Sequence, residues 1–221
     1  KINHFIVQPG KLQEYKKTLI FSSKEEMMAF LDTINIKIPS TSNLKKIPLV
    51  STEVKNFSLW TPKESWSEDW DNKYYQWVKD NFHSKYFLEY NLATDCADAA
   101  ILLRWIFARD HNLPMASTLA GTQTLFTHES LKSEWLKLPT DPLWHKDKRF
   151  RAVLNYIANN TYTHTLYDDS YPIIITTETL RPGTFNLMLS HDSGHTRLVA
   201  QTDYTTTALS PITLFSSTIP R

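Results

Sequence analysis

Three features of the sequence predict an α+β fold, with helices in the first part of the chain and strands in the last part. Aromatic residues recur at spacings of three and four over residues 66–82, and residues 96–110 are apolar almost all round. From residue 162 onward, threonine, aromatic and β-branched residues dominate. Spacings of three and four match the period of a helix, whereas β-branched and aromatic residues favour strands. We therefore expect a buried helix packed on an antiparallel sheet.

The composition is that of an ordinary globular domain. The chain has 221 residues, of which 41% are hydrophobic and 21% are charged, and its formal net charge is +1. Binding to nucleic-acid phosphates needs a basic patch, and no long basic run is present, so this class of partner is not expected. No run of 18 apolar residues occurs, which predicts no transmembrane helix. Because residue 1 is Lys rather than Met, we expect a processed, exported protein, periplasmic or secreted, with a cytoplasmic location as the alternative.

The first 65 residues are interpreted as a partly irregular N-terminal extension. Ser22 is followed three residues later by Glu25, which is the capping-box pattern, so a short helix is expected through about residue 34. The prolines and polar residues of segment 37–63 predict a long surface connection, with a strand at residues 48–54.

The aromatic stripe in residues 66–82 predicts the first strong helix. Its members are Trp66, Trp70, Tyr74, Trp77 and Val78. We interpret the stripe as the face that packs on the core, with an aromatic wall for a substrate groove as the alternative.

The second strong helix is predicted over residues 96–110, with Thr94 or Asp95 as its cap and with residues 111–112 and Pro114 ending it. It carries no polar face, which is typical of a helix inside a domain. Residues 113–118 are expected to be a strand or a loop. A further helix is predicted at residues 148–159, and strands are predicted at residues 162–166, 173–177, 184–189, 196–202 and 212–216.

Cys96 is the single cysteine of the chain, so no intrachain disulfide is possible. Most lone cysteines are small buried hydrophobic residues. This one stands at the predicted first turn of a buried helix, where unpaired backbone N–H groups and the helix dipole favour a thiolate. The thiolate is the nucleophilic form, so the position predicts a catalytic cysteine.

A nucleophilic thiol needs a base, and His195 is the best of the eight histidines. It follows Gly194 and opens a predicted strand, which would hold its imidazole rigidly. His191, in a predicted turn, and His164, on a predicted strand, are the rivals. A metal site built from His191, Asp192 and His195 is not favoured because no partner motif accompanies it. We expect neither a metal nor a cofactor.

Three short segments, in this order, resemble the NlpC/P60 cysteine peptidases of the papain-like superfamily. Asp-Cys at 95–96, leading into an apolar helix, resembles the Asp-Cys-Ser-Gly-Phe opening of that family. Leu-Arg-Pro-Gly-Thr-Phe at 180–185 resembles its Leu-x-Pro-Gly-Asp-Leu strand start. Gly-His-Thr-Arg-Leu-Val at 194–199 resembles the strand that carries its base. The segments cover about thirty residues, and Ala97, Asp98 and Thr184 depart from the family pattern.

The resemblance implies a papain-like catalytic domain at residues 66–221, with an insertion at about 113–170. It implies hydrolysis of an amide or peptide bond through a thioester intermediate, on cell-wall peptides or other small amides. Cys96 would be the nucleophile, His195 the base, and the Cys96 N–H the oxyanion donor, with Tyr90 as a second donor. Asp203 would orient the imidazole, with residues 207 and 210 as other candidates.

Three alternatives stay open. Cys96 and the apolar helix after it, followed by Leu113 and Pro114, also resemble transglutaminase-like acyltransferases, although the His-Ala-Trp of that family is absent at His195. A non-catalytic binding module could use the surface of Trp60, Trp66 and Trp70. A purely structural domain would leave the cysteine buried and inert.

Overall fold

The computed structural model describes residues 2–3, 20–21, 58–121, 124–177, 179–190, 194–202 and 212–217. A short antiparallel pair joins β1 (Ile2–Asn3) to β2 (Ile20–Phe21). The helix predicted near residues 22–34 and the strand at 48–54 lie outside the described residues. The remaining elements are α1 (Glu68–Asn81), α2 (Tyr86–Glu89), α3 (Cys96–Asp110), β3 (Ala116–Thr118), β4 (Leu125–Thr127), a 3-10 helix (Ser133–Lys137), α4 (Lys148–Asn160), α5 (Thr163–Asp168), β5 (Phe185–Leu189), β6 (Gly194–Thr202) and β7 (Ile212–Phe215).

Helices and antiparallel sheets together make an α+β fold, as the sequence predicts. Strands β3 and β4 form a hairpin-like pair, which places a strand at the end of segment 113–118. No helix in the described ranges is both long and apolar enough to cross a membrane.

Helix α3 is the centre of the core. Its side chains at Leu102, Leu103 and Ile106 have no exposed surface, which confirms the prediction of a helix buried on every side. The chain leaves the helix through Asn112, whose φ of 53° is left-handed, and Leu113 N–H donates to the carbonyl of Ala108. This is the geometry that commonly ends a helix.

Helix α1 packs its aromatic stripe against α3. Ser67 caps the helix by accepting a hydrogen bond from the N–H of Trp70. The rings of Trp70, Tyr74 and Trp77 all lie within 5.3 to 6.2 Å of the ring of Phe107. The stripe is therefore part of the core, in agreement with its interpretation as a packing face.

The C-terminal sheet has the order β5-β6-β7, and both pairings are antiparallel. Because neighbouring residues of a strand point to opposite faces, the sheet has two distinct sides. Thr196, Leu198 and Ala200 are buried on the side of α3, which packs against β6. The other side, called the outer face below, carries Asn186, Met188, His195, Arg197 and Leu214.

Two predicted strands are wrong. Residues 162–166 belong largely to helix α5, because Tyr162 N–H donates to Thr165 Oγ1 and Thr165 Oγ1 donates back to the Tyr162 carbonyl. His164 is thus a helix residue. Residues 173–177 form a turn with a single bridge residue rather than a strand. Thr176 and Thr179 exchange side-chain and backbone hydrogen bonds there, and such local bonds compete with strand pairing.

Candidate functional site

Cys96 is the first residue of α3 and is partly exposed to solvent. Asp95 is the N-cap residue, one of the two caps expected from the sequence. The helix behind the thiol is fixed by the core, so the sulfur stands on a rigid element at the protein surface. This placement agrees with the position predicted for a nucleophile.

Two carboxylates frame the start of the helix. Asp95 Oδ1 accepts hydrogen bonds from the N–H groups of Ala97 at 3.0 Å and Asp98 at 3.2 Å. The buried Asp98 returns a bond, because its Oδ2 accepts the N–H of Asp95 at 2.7 Å. This capping box stabilises the helix, but it occupies two of the donors that would stabilise a thiolate and adds negative charge beside Cys96.

The backbone N–H of Cys96 is not used by the capping box. Within the described ranges it donates to no acceptor. Helix N-terminal N–H groups point outward along the helix axis, where an oxyanion formed on a bound substrate can accept them. The Cys96 N–H is therefore available for the oxyanion-donor role expected from the sequence.

His195 is the second residue of β6 and is half-buried. Its Nε2 lies 2.8 Å from Ser216 Oγ, just beyond the end of β7. The imidazole is on the outer face, next to the 44% exposed Met188, with which it is paired across the sheet. Helix α3 packs on the opposite side, where Thr196 lies.

The end of β7 links the two predicted catalytic residues. Ser216 contacts the imidazole of His195, and Ser217 Oγ donates to the carbonyl of Thr94 at 3.0 Å. Thr94 lies two residues before Cys96. The structure thus brings the starts of α3 and β6 to the same end of the sheet, although no hydrogen bond among the described residues joins Cys96 to His195 directly.

Tyr90 lies in an aromatic cluster. Its ring stacks on that of His145 with the centroids 4.9 Å apart, and it meets Trp144 edge to face at 4.8 Å. Its carbonyl accepts a bond from Arg151. No contact in the described part of the chain places the Tyr90 hydroxyl at Cys96, and its role as a second oxyanion donor stays a prediction.

Asp203 lies outside the described residues, as do His191 and positions 207 and 210. His164 lines a cavity of about 540 Å³ with Thr118, Tyr162 and Asp168, and Gly194 forms part of the same wall. In the described ranges no group of three or more His, Cys, Asp and Glu residues is arranged to hold a metal ion.

Ser216 and Ser217 were missed by the sequence analysis. Ser216 is the final residue of the last predicted strand and Ser217 follows it, but nothing in a Ser-Ser pair by itself indicates a contact with a histidine 21 residues earlier. The signal that could have pointed to them is register: with Phe215 paired to Leu198, the antiparallel continuation sets residue 216 opposite Arg197 and diagonal to His195.

The tryptophans proposed for a binding surface are tied to the core. Trp60 Nε1 donates to the carbonyl of Leu113, and Trp66 Nε1 donates to the carbonyl of Pro114. The ring of Trp60 also packs edge to face on that of Trp105.

Comparison with protein families, with curated proteins and with solved structures found no match to this chain.

Proposed function

We propose that the protein is a cysteine hydrolase of papain-like architecture that cleaves an amide or peptide bond. The observation that carries the proposal is the position of Cys96, the single cysteine, partly exposed at the first residue of a rigid buried helix. A thiol at this position has a free backbone donor beside it and an apolar support behind it. The substrate class is a small peptide or other small amide.

In the proposed reaction, Cys96 Sγ attacks the carbonyl carbon of the substrate and its proton passes to His195. The tetrahedral oxyanion accepts the N–H of Cys96. The C–N bond then breaks, the leaving amine takes the proton from His195, and a thioester remains. Water, losing a proton to His195, attacks the thioester, releases the acid and restores the thiol.

The link through residues 216 and 217 supports His195 as the base. The Ser216 contact occupies Nε2 of the ring, which leaves Nδ1 for the thiol. His195 lies on the outer face, so its ring has to turn around the start of β6 to reach the sulfur. Only Gly194 precedes it in the strand. Catalytic hydrogen bonds commonly tighten only in the substrate complex.

The test is the alkylation rate of Cys96 by iodoacetamide between pH 5 and 9, with His195→Ala, Ser216→Ala and His164→Ala compared with the wild type. An ordinary thiol is only about 0.3% thiolate at pH 6. We expect fast alkylation at pH 6 that is lost in His195→Ala, weakened in Ser216→Ala and unchanged in His164→Ala. A single inflection near pH 8.5, the ordinary thiol value, would reject an activated thiolate.

A second candidate is a non-catalytic binding module on the same fold, favoured by the placement of the His195 ring on the side of the sheet away from α3. In that case His195→Ala leaves alkylation of Cys96 unchanged. If the thiolate is activated, adding a primary amine as acceptor separates a hydrolase from a transglutaminase-like transferase, since only the latter forms the new amide in preference to the acid.

A further inference from the structure

The outer face of the C-terminal sheet carries a positive charge that no acid among the described residues pairs with. The segments of β5, β6 and β7 read FNLML, GHTRLVAQT and ITLF, so they contain no Asp or Glu. Arg197 is the single Lys or Arg in these strands. Its backbone is fixed in the central strand, which holds the guanidinium over the face.

The partner of Arg197 is a neutral sulfur atom. Its Nη1 lies 3.1 Å from Met188 Sδ, and a thioether is a weak acceptor that carries no charge. By contrast, Arg104 and Arg109 each meet a carboxylate at 2.6 to 2.9 Å. No ion pair in the described part of the chain includes Arg197. None of the five N–H donors of Arg197 therefore meets an anion among the described residues.

A second donor without an acceptor lies beside it. Asn186 is directly opposite Arg197 in the β5–β6 register, and side chains of directly opposed residues are about 5 Å apart. The Asn186 Nδ2 atom is buried and has no hydrogen-bond partner. Within the described part of the chain this donor is therefore unsatisfied, which is rare for a buried amide.

We propose that Arg197 and Asn186 form a binding site for the carboxylate of a small ligand. The guanidinium fork matches the two oxygens of a carboxylate, and the Asn186 amide donates a further bond to one of them once its side chain turns toward the ligand. The neighbouring Met188 and Leu214 are 44% and 48% exposed, and they provide apolar contact for a substituent beside the carboxylate. The ligand class is therefore a carboxylate with a small apolar group, such as the C-terminus of a short apolar peptide.

The experiment is an NMR titration of ¹⁵N-labelled full-length protein with N-acetyl-leucine and with N-acetyl-leucinamide, which lacks the charge. We expect the acid to shift the Asn186 side-chain resonance saturably, with affinity higher by about tenfold or more than that of the amide. Arg197→Met should lose this preference, and Arg197→Lys should retain part of it because the charge remains. Arg181→Met, at a half-buried arginine outside the sheet that contacts Asn72, is the matched control and should bind as the wild type does.

The proposal does not involve Cys96, so Cys96→Ser should leave the titration unchanged whatever the outcome for the hydrolase. Absence of saturation, equal binding of the amide, or equal binding by Arg197→Met would overturn it. So would equal binding of inorganic phosphate, since the site would then accept any anion. If the ligand binds only after Asp192→Asn or Asp203→Asn, the partner of Arg197 is an internal carboxylate and the external site does not exist.

Discussion

At the scale of single residues, the chemistry of Cys96 is governed by opposing charges. The helix dipole and the Cys96 N–H, which has no acceptor among the described residues, place partial positive charge beside the sulfur, whereas the carboxylates of Asp95 and Asp98 place negative charge there. Asp98 is fully buried, so its charge is poorly screened by solvent. Sequence alone shows both acids and Asp95 as a possible cap, but only the structure shows that Asp98 turns inward and accepts the N–H of Asp95.

Asp98→Asn should make Cys96 more reactive. The amide oxygen can still accept the N–H of Asp95, while the negative charge beside the sulfur is removed. We expect the alkylation rate at pH 7 to rise roughly three- to tenfold, with a loss of about 1 kcal/mol in the free energy of unfolding from the weaker cap. Asp110→Asn, at the far end of the same helix, changes the net charge equally and should leave the rate unchanged. An equal increase in both variants would show that the effect is not local.

Gly194 is required by a close approach of helix α5. A Cβ atom at this position would lie 2.6 Å from both Cβ and Cγ2 of Thr163 and 2.9 Å from Leu189 Cδ2. We expect Gly194→Ala to lower the free energy of unfolding by about 1–3 kcal/mol through overpacking. Adding Thr163→Gly removes the contacted atoms, so the double variant should be less destabilised than the sum of the single variants. Strict additivity in denaturant melts would contradict this account.

At the scale of elements, the sequence predicts helix α3 with its exact bounds, because a capping acid opens it and a breaking segment ends it. The strands β5, β6 and β7 also lie close to their predicted ranges. The prediction of a strand at 162–166 is wrong because the capping hydrogen bonds of Thr165 outweigh the β preference of its neighbours. The face on which His195 lies was not predictable, because it depends on pairing with β5 and a shift of one residue would reverse it.

Arg109 joins two helices through buried ion pairs. It contacts Asp147 Oδ2 at 2.8 Å, and the two side chains are only 13% and 8% exposed. Asp147 is also the cap of α4, since its Oδ1 accepts the N–H of Phe150. Arg109→Met leaves this carboxylate buried and unpaired, and we expect a loss of about 3–5 kcal/mol in the free energy of unfolding.

The matched control is Lys73→Met, which breaks the exposed pair with Asp69. Solvent screens that pair, so its loss should cost at most about 1 kcal/mol. The free energies of unfolding of both variants are to be measured by urea denaturation at neutral pH. Similar costs for the two variants would mean that Asp147 finds another partner when Arg109 is removed.

At the scale of the whole molecule, buried phenols set an upper pH limit for the fold. Burial raises the pKa of Tyr74 far above its usual range, with Arg104 acting in the opposite direction, and burial likewise raises that of Tyr86. Because the folded pKa lies above the unfolded one, the folded state holds the proton more tightly. The stability that this provides is fully present below about pH 10 and is lost as the pH rises further.

Tyr74→Phe should make stability less dependent on alkaline pH. Above pH 10, each buried phenol makes the free energy of unfolding fall by up to about 1.4 kcal/mol per pH unit, and the variant removes one such contribution. Tyr171→Phe, at a position that is 73% exposed, is the control. Its free energy of unfolding should change with pH as that of the wild type does between pH 9 and 11. If Tyr74→Phe follows the wild-type curve, ionisation of Tyr74 is not what limits the folded state.

The bond from Ser217 to Thr94 spans 123 residues of chain, and this distance has a consequence for biosynthesis. While the chain emerges from the ribosome, α3 can form and pack with α1 long before β7 has been made. The segment that contacts the imidazole of His195 is made well after α1 and α3, and contacts so distant in sequence form late in folding. We therefore expect a nascent chain to carry an accessible thiol without its proposed partner arrangement, and the reactivity proposed for Cys96 to develop only after residue 217 has left the exit tunnel and β7 has joined the sheet.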